Sequence, residues 1–241
     1  MTGGGALKAR VEAVQQRMAA AARRVGRDPA EVTLLPVSKT RPAEAVTAVM
    51  AGTGLARFAE NRPQELAAKA REVLGAEWVL IGPLQTNKAG LAAEFACQFQ
   101  GLDALRTAEA LDRRLQALGR GMDVLVEVNT SGEAAKHGVA PGDAVALARG
   151  LGAFASLRPV GLMTVALNSP DETAVRACFA RLREAQAQLR DALGDGWGEL
   201  SMGMSGDFEL AIEEGSTIVR VGTAIFGPRV MPVATPPGAQ A

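Results

Sequence analysis

The chain has 241 residues, of which 48% are hydrophobic, and it carries 26 basic and 26 acidic side chains. This balance, without a basic cluster, argues against a nucleic-acid-binding or anionic-membrane surface. No apolar run reaches the roughly 18 residues that a membrane-spanning helix needs. Cys97 and Cys178 lack metal-binding spacing, so we predict reduced, buried thiols, a cytoplasmic protein and no metal site.

The first predicted element is an amphipathic helix, because apolar residues recur there at helical spacing. They are Leu7, Val11, Val14, Met18, Ala21 and Val25. Eight short apolar runs follow, separated by helical patterns that are clearest at 104–118 and 171–193. The runs are 32–38, 55–60, 78–81, 99–102, 124–128, 157–162, 199–202 and 218–221.

Strands that alternate with helices predict a parallel sheet, and eight strands are the number that closes a barrel. We therefore predict one (β/α)8 TIM barrel with an extra N-terminal helix over residues 1–230. The alternative, an open doubly wound sheet, would need a Gly-rich turn after the first strand, and the sequence SKTRP is not one. The Pro- and Ala-rich segment 231–241 is predicted to be a disordered tail.

Each predicted strand ends in polar or glycine-rich residues. In chain order they are Lys39, Glu60-Asn61, Gly82, Asp103, Asn129-Thr130, Met163-Thr164, Met204-Ser205, and Arg220 with Gly222. The carboxyl ends of barrel strands face one common mouth. Residues spread over almost the whole chain are therefore predicted to share one pocket.

Two of these segments, 202–206 and 219–223, are predicted to form a phosphate-binding cup. Glycines such as Gly222 let the backbone approach a ligand, and the amides that follow can donate to it. Ser205 and Thr223 add hydroxyls, and a helix that begins near Asp207 adds the positive end of its dipole. Met204 can line the same pocket or fill the core.

Lys39 ends the first apolar run, where partial desolvation favours a reactive amine. A Schiff-base lysine beside a phosphate cup indicates pyridoxal 5'-phosphate or a phosphosugar aldehyde. Arg220 can only donate hydrogen bonds, so beside a pyridine nitrogen it would keep that nitrogen unprotonated and weaken the electron sink. The alternative for Arg220 is a structural ion pair with Glu213 or Glu214.

Other polar residues have weaker functional predictions. Asn61 can reach a cofactor ring or cap the next helix. His137, the one histidine, is predicted to be solvated in a loop, and the chain has no tyrosine.

The chain resembles the pyridoxal-phosphate homeostasis protein family, single-domain relatives of the alanine racemase N-terminal barrel. The resemblance is carried by VSKTRP, AENRPQE, WVLIGPLQTNK, VNTSGEAAKHG, GLMTV and SMGMSGDFELAIEEGSTIVRVGTAIFG, from residue 37 to residue 227. It implies a fold-type III barrel in which Lys39 holds pyridoxal 5'-phosphate as an internal aldimine. It also implies Asn61 near the ring, Arg220 at the pyridine nitrogen, and Ser205, Gly222 and Thr223 on the phosphate.

Two positions depart from the family pattern. Ala59 stands where the family usually has Gly, and Pro83 stands where it usually has His. Any contact or proton transfer by that His is therefore not expected in this chain.

We predict a cofactor-holding protein with no catalytic residues, which buffers pyridoxal phosphate or delivers it to apo-enzymes. A monomer is favoured over a dimer. One alternative is an amino-acid racemase of the alanine racemase barrel type, which would need a second acid/base opposite the lysine. The other is a Schiff-base aldolase acting on a phosphosugar.

Overall fold

The computed structural model describes residues 3–228, and in that part of the chain eight parallel strands form one sheet. The strands are β1 (Thr33–Pro36), β2 (Arg57–Glu60), β3 (Glu77–Leu80), β4 (Ala96–Leu102), β5 (Met122–Glu127), β6 (Leu157–Met163), β7 (Glu199–Ser201) and β8 (Ile218–Val221). Their order is β1-β8-β7-β6-β5-β4-β3-β2. All pairs are parallel, with Leu35 opposite Arg220 between β1 and β8.

The two ends of this sheet meet and nearly close a barrel. A parallel bridge joins Val37, just after β1, to Ala59 of β2. The Ser38 amide also donates to the Ala59 carbonyl at 3.1 Å. The predicted (β/α)8 architecture is therefore confirmed, and the open doubly wound sheet is excluded.

Helices follow the strands and cover the outside of the barrel. Within the described residues they are α1 (Gly3–Arg24), α2 (Ala43–Thr53), α3 (Pro63–Glu72), α4 (Ala89–Phe95), α5 (Leu105–Ala117), α6 (Ala144–Leu151), α7 (Glu172–Leu193), α8 (Phe208–Glu213) and α9 (Thr223–Phe226). Short 3₁₀ turns occupy Pro29–Glu31, Thr86–Lys88 and Pro141–Asp143. Asp171 caps α7 by accepting hydrogen bonds from the amides of Thr173 and Ala174.

The N-terminal helix is amphipathic, as predicted. Val11, Val14, Met18 and Ala21 are buried, while Val25 lies beyond the end of α1 and is 44% exposed. The helix packs against α2 and α8. Arg17 and Arg24 form ion pairs with Glu209 and Glu213 of α8, so α1 is attached to the side of the barrel that carries the β7–α8 loop.

Side chains alternate between the two faces of the sheet, as in any strand. The large apolar cluster lies between the strands and the helices, and a small one, Leu35, Val37, Ala59, Val79 and Ile218, lies on the other face. The same inner face carries buried polar side chains of β4, β7 and β8. The barrel interior is therefore partly polar.

The strand predictions agree with the structure to within a few residues, except at β4. That strand begins at Ala96, three residues before the predicted run, because Gln98 points into a polar interior and interrupts the apolar pattern.

Both cysteines are free thiols: Cys178 is buried and Cys97 is half-buried. The predicted disordered tail, 231–241, lies outside the described residues. No helix of residues 3–228 is long and apolar enough to cross a membrane.

Candidate cofactor site

The loops that follow β1, β7 and β8 enclose a cavity of about 250 Å³. Its lining contains six of the seven side chains or glycines predicted to bind a cofactor. The lining residues are Val37, Lys39, Ile81, Met204, Ser205, Gly206, Arg220, Gly222 and Thr223. A cavity of this size suits a small ligand, and it joins an amine, a guanidinium and two hydroxyls.

The predicted phosphate cup is built from the β7–α8 loop and the start of α9. Ser205 Oγ accepts hydrogen bonds from the Gly222 amide at 3.2 Å and the Ala224 amide at 3.3 Å. These two amides converge on one oxygen atom, which is the arrangement that a phosphate oxygen requires. The Ser205 hydroxyl therefore occupies a point on which two backbone donors converge.

Gly203 shapes this loop because its backbone has φ +94°, a left-handed conformation. A Cβ at this position would lie 2.6 Å from the Ala211 Cβ, so only glycine fits. The Gly203 carbonyl accepts from the Arg220 amide at 2.9 Å, which joins the two halves of the cup. Met204 is 37% exposed and lines the cavity, whereas Met202 belongs to the core.

Asp207 is a carboxylate beside the cup that the sequence interpretation treated only as a helix start. Its Oδ1 accepts from the Met204 amide at 2.6 Å and fixes the loop. Burial raises the pKa of Asp207 above its usual range.

Arg220 is 4% exposed and reaches into the barrel. Its Nη1 donates to Ser201 Oγ and its Nη2 donates to the Thr164 carbonyl, both at 2.7 Å. The alternative ion pair with Glu213 or Glu214 is wrong, because those carboxylates pair with arginines of α1 and α7 instead. Burial lowers the pKa of Arg220 to about 10, so the side chain stays charged near neutral pH.

A chain of hydrogen bonds, which we call the axial chain, runs from Arg220 through the barrel. Ser201 Oγ donates to Gln100 Oε1 at 2.6 Å, Gln100 Nε2 to Gln98 Oε1 at 2.8 Å, and Gln98 Nε2 to Glu199 Oε2 at 2.9 Å. Every donor points from Arg220 towards Glu199, so the bonds polarise one another in the same sense. These bonds were not predicted from the sequence.

Glu127, at the end of β5, is a second missed residue. It is 8% exposed. Burial, reinforced by the charge of Asp103 and opposed by that of Arg220, raises the pKa of Glu127 to about 7. A buried carboxyl of this kind is found often at functional sites.

Asn61 lies apart from the other six predicted residues. It lines a larger groove of about 720 Å³ together with Arg62, Pro63, Gln64, Pro83, Gln85, Lys88 and His137. It does not cap α3, whose N-cap is Arg62 without a side-chain bond. Asn61 Oδ1 is buried without a hydrogen-bond partner, so a ligand that reached it could satisfy a polar group that the described chain leaves unpaired.

Lys39 is half-buried directly after the bridge at Val37, and it lines the cavity with Arg220 and the cup. His137 is exposed in the loop after β5, as predicted.

The geometry of the cavity defines a class of site: an anion-binding cup with a lysine amine and a buried guanidinium, at the mouth of a (β/α)8 barrel. The binding roles of the individual residues remain predictions.

Comparison with known proteins identifies the family. Residues 9–230 match the family described as alanine racemase, N-terminal domain. Proteins named pyridoxal phosphate homeostasis protein are similar over most of their length. The one from Pseudomonas aeruginosa is 44% identical, and the match covers 90% of this chain and 93% of that protein. The one from Escherichia coli K12 is 39% identical, and the match covers 90% of this chain and 94% of that protein. The chain belongs to the alanine racemase N-terminal domain family, among its pyridoxal phosphate homeostasis proteins.

Solved structures agree with this assignment. PipY of Synechococcus elongatus, determined with pyridoxal phosphate bound, is 35% identical with a TM-score of 0.76, covering 89% of this chain and 100% of its own. A protein from Bifidobacterium adolescentis is 38% identical with a TM-score of 0.85, and the match covers 92% of this chain and 95% of that protein. An alanine racemase of Clostridium difficile, at 13% identity and a TM-score of 0.69, shares the fold, and the match covers 55% of that enzyme.

Proposed function

We propose that this protein binds pyridoxal 5'-phosphate in the cytoplasm and holds it for apo-enzymes that use it, with no strong catalytic activity of its own. The observation that carries the proposal is the convergence of Lys39, Arg220 and the Ser205–Gly222–Thr223 cup on one small cavity. The relatives named pyridoxal phosphate homeostasis proteins and the cofactor-bound PipY structure support it.

The residues present fit this cofactor. The cup already presents two amides to one oxygen atom, as a phosphate needs. Lys39 Nζ would bond to the aldehyde carbon as water leaves. Arg220 would donate to the pyridine nitrogen, since its described hydrogen bonds occupy only Nη1 and Nη2. Asn61 lines the separate groove, and its buried, unpaired Oδ1 is the atom that would supply a further contact near the ring.

The same residues argue for holding the cofactor over using it. When bound, pyridoxal phosphate supplies an electron-withdrawing ring to an attached amine. Arg220 cannot accept a proton and is buried, so it would keep the ring nitrogen unprotonated and weaken that withdrawal. The chain has no tyrosine, and its histidine is exposed in a loop. A racemase would need an acid/base group opposite Lys39.

We further propose that the protein acts as a monomer. The exposed large hydrophobic side chains among the described residues lie at helix ends and in loops: Val25, Leu74, Leu105, Leu118, Leu193 and Met204. A stable dimer buries a contiguous face of about 800 Å² per partner. Scattered single residues of this kind do not supply such a face.

Absorption spectroscopy and borohydride trapping test the proposal. The purified protein should absorb visible light, and reduction should fix the cofactor on a peptide that contains Lys39. Lys39→Ala should abolish trapping, while Lys88→Ala, at the nearby groove, should not. Trapping on Lys88 or Lys136 would contradict the assignment of Lys39, and a colourless protein that reacts with a phosphosugar would favour the aldolase.

A further inference from the structure

A buried ionic cluster, which we call the β1-loop cluster, lies beneath the loop that carries Lys39. Its centre is Lys69 of α3, a lysine that is 6% exposed. Lys69 Nζ donates to Glu60 Oε1 at 2.6 Å, to Glu65 Oε1 at 2.9 Å and to the Ser38 carbonyl at 2.8 Å. One ammonium group therefore uses its three donors on two carboxylates and one backbone oxygen.

The cluster holds the residue on each side of Lys39. Ser38 Oγ donates to Glu60 Oε1 at 2.6 Å, in addition to the bond that its carbonyl accepts. On the other side, the Thr40 amide donates to Glu65 Oε1 at 2.6 Å. The backbone immediately before and after Lys39 is thus tied to the same ammonium group, directly on one side and through a carboxylate on the other.

Thr40 shows why such a restraint is needed. Its φ is +64°, in the left-handed region that β-branched residues rarely adopt. A sparsely populated backbone conformation persists only when the surrounding contacts enforce it, and it is found most often at functional sites. Two contacts hold it here: the turn bond from the Arg41 amide to the Ser38 carbonyl at 2.9 Å, and the bond from the Thr40 amide to Glu65.

The cluster has no evident advantage for folding alone. Glu60 is 0% exposed, and its Oε2 has no hydrogen-bond partner. Burial raises the pKa of Glu60 even though Lys69 and Ser38 bond to it. Apolar side chains of similar volume often replace a buried ion pair without loss of stability.

We propose that Lys69 is a positioning residue, which together with Glu60 and Glu65 fixes the backbone on both sides of Lys39 and so aims its amine into the cavity. Lys69 does not line that cavity, so it acts through Lys39. The proposal rests on the function proposed above, in which Lys39 bonds covalently to the cofactor.

The test separates covalent bonding from simple binding. Pyridoxal 5'-phosphate can bond to Lys39, whereas pyridoxine 5'-phosphate carries an alcohol in place of the aldehyde and cannot. The double variant Glu60→Gln with Lys69→Met removes the buried ammonium and the fully buried carboxylate together, and it leaves the partly exposed Glu65 bonded to the Thr40 amide. We expect it to bind pyridoxal phosphate about tenfold more weakly, which corresponds to about 1.4 kcal/mol. Borohydride trapping on Lys39 should slow in parallel, and affinity for the alcohol should not change.

Two further variants separate the positioning role from a general loss of stability. Glu65→Ala removes the acceptor of the Thr40 amide and one of the two carboxylates on Lys69, from a partly exposed position, and it should slow trapping in the same direction but less. Leu111→Ala, in the apolar core at α5, controls for general destabilisation and should leave the ratio of the two affinities unchanged.

The possible outcomes are distinguishable. If the variants of the β1-loop cluster trap the cofactor at the wild-type rate, or weaken both ligands equally as a destabilised core would, the positioning role is wrong while the proposed function stands. If the wild type itself does not bond pyridoxal phosphate at Lys39, both proposals fail together.

Discussion

Ser205 and Thr223 are the residues whose contribution to binding is easiest to isolate. In the structure the Ser205 hydroxyl oxygen already accepts hydrogen bonds from two backbone amides. A hydrogen bond to a charged group contributes about 1.5–3 kcal/mol. Ser205→Ala with Thr223→Ala should therefore weaken pyridoxal phosphate binding at least tenfold by titration, while Thr47→Ala on α2 should have no effect. Equal affinity in the double variant and the wild type would contradict the prediction that these hydroxyls bind the phosphate.

The raised pKa of Glu127 predicts that the stability of the folded chain depends on pH. Its pKa is raised from 4.5 to about 7 in the folded chain. Between these values the unfolded chain has lost the proton that the folded chain keeps, so the contribution of Glu127 to stability is largest below pH 4.5 and falls as the pH rises towards 7. The shift corresponds to about 3 kcal/mol.

Urea unfolding of the cofactor-free protein at pH 5 and pH 8 measures this effect. Glu127→Gln should reduce the difference between the two pH values, whereas Glu184→Gln, at an exposed position on α7, should keep it. An unchanged pH dependence in Glu127→Gln would show that this carboxyl titrates normally.

At the scale of elements, the axial chain joins β4, β7 and β8 across the barrel. Gln100→Leu keeps the volume of the side chain but removes the acceptor for Ser201 and the donor for Gln98. Unsatisfied buried polar groups should lower the free energy of unfolding by about 1–3 kcal/mol. Gln116→Leu, which removes one bond at an exposed site on α5, should change it much less.

The same variant tests whether the axial chain orients Arg220. Since Ser201 bonds both Gln100 and Arg220, loss of Gln100 should also shift the visible absorption of the bound cofactor. Destabilisation without any spectral shift would limit the axial chain to a structural role.

The sequence predicted elements better than it predicted their polar contacts. Buried parallel strands appear as continuous apolar runs, and seven of the eight runs therefore matched closely. In β4 the pattern Gln98-Phe99-Gln100 breaks that rule, and its alternation is the signal that could have revealed a polar barrel interior. Lys69 gave no comparable signal, because a lysine in a helix is solvated in most proteins and only the fold brings Glu60 and Ser38 to it.

At the scale of the whole molecule, closure of the barrel explains why residues from 39 to 223 share one cavity. The common mouth was predictable from strand number alone, and six of the seven candidate residues line the same cavity. Asn61 faces the adjoining groove because strand order fixes which loop a residue joins but not the direction of its side chain. That direction depends on side-chain packing, which strand order does not determine.

The central claim is that the protein holds pyridoxal phosphate without processing amino acids. Incubating the cofactor-loaded protein with L-alanine in deuterated water, and following Cα deuteration and D-alanine, tests this claim most directly. We predict exchange far below ordinary enzymatic turnover, because no tyrosine or buried histidine stands ready to move the Cα proton. Deuteration or racemisation at about 1 s⁻¹ or faster would contradict the account and assign the protein to the racemases.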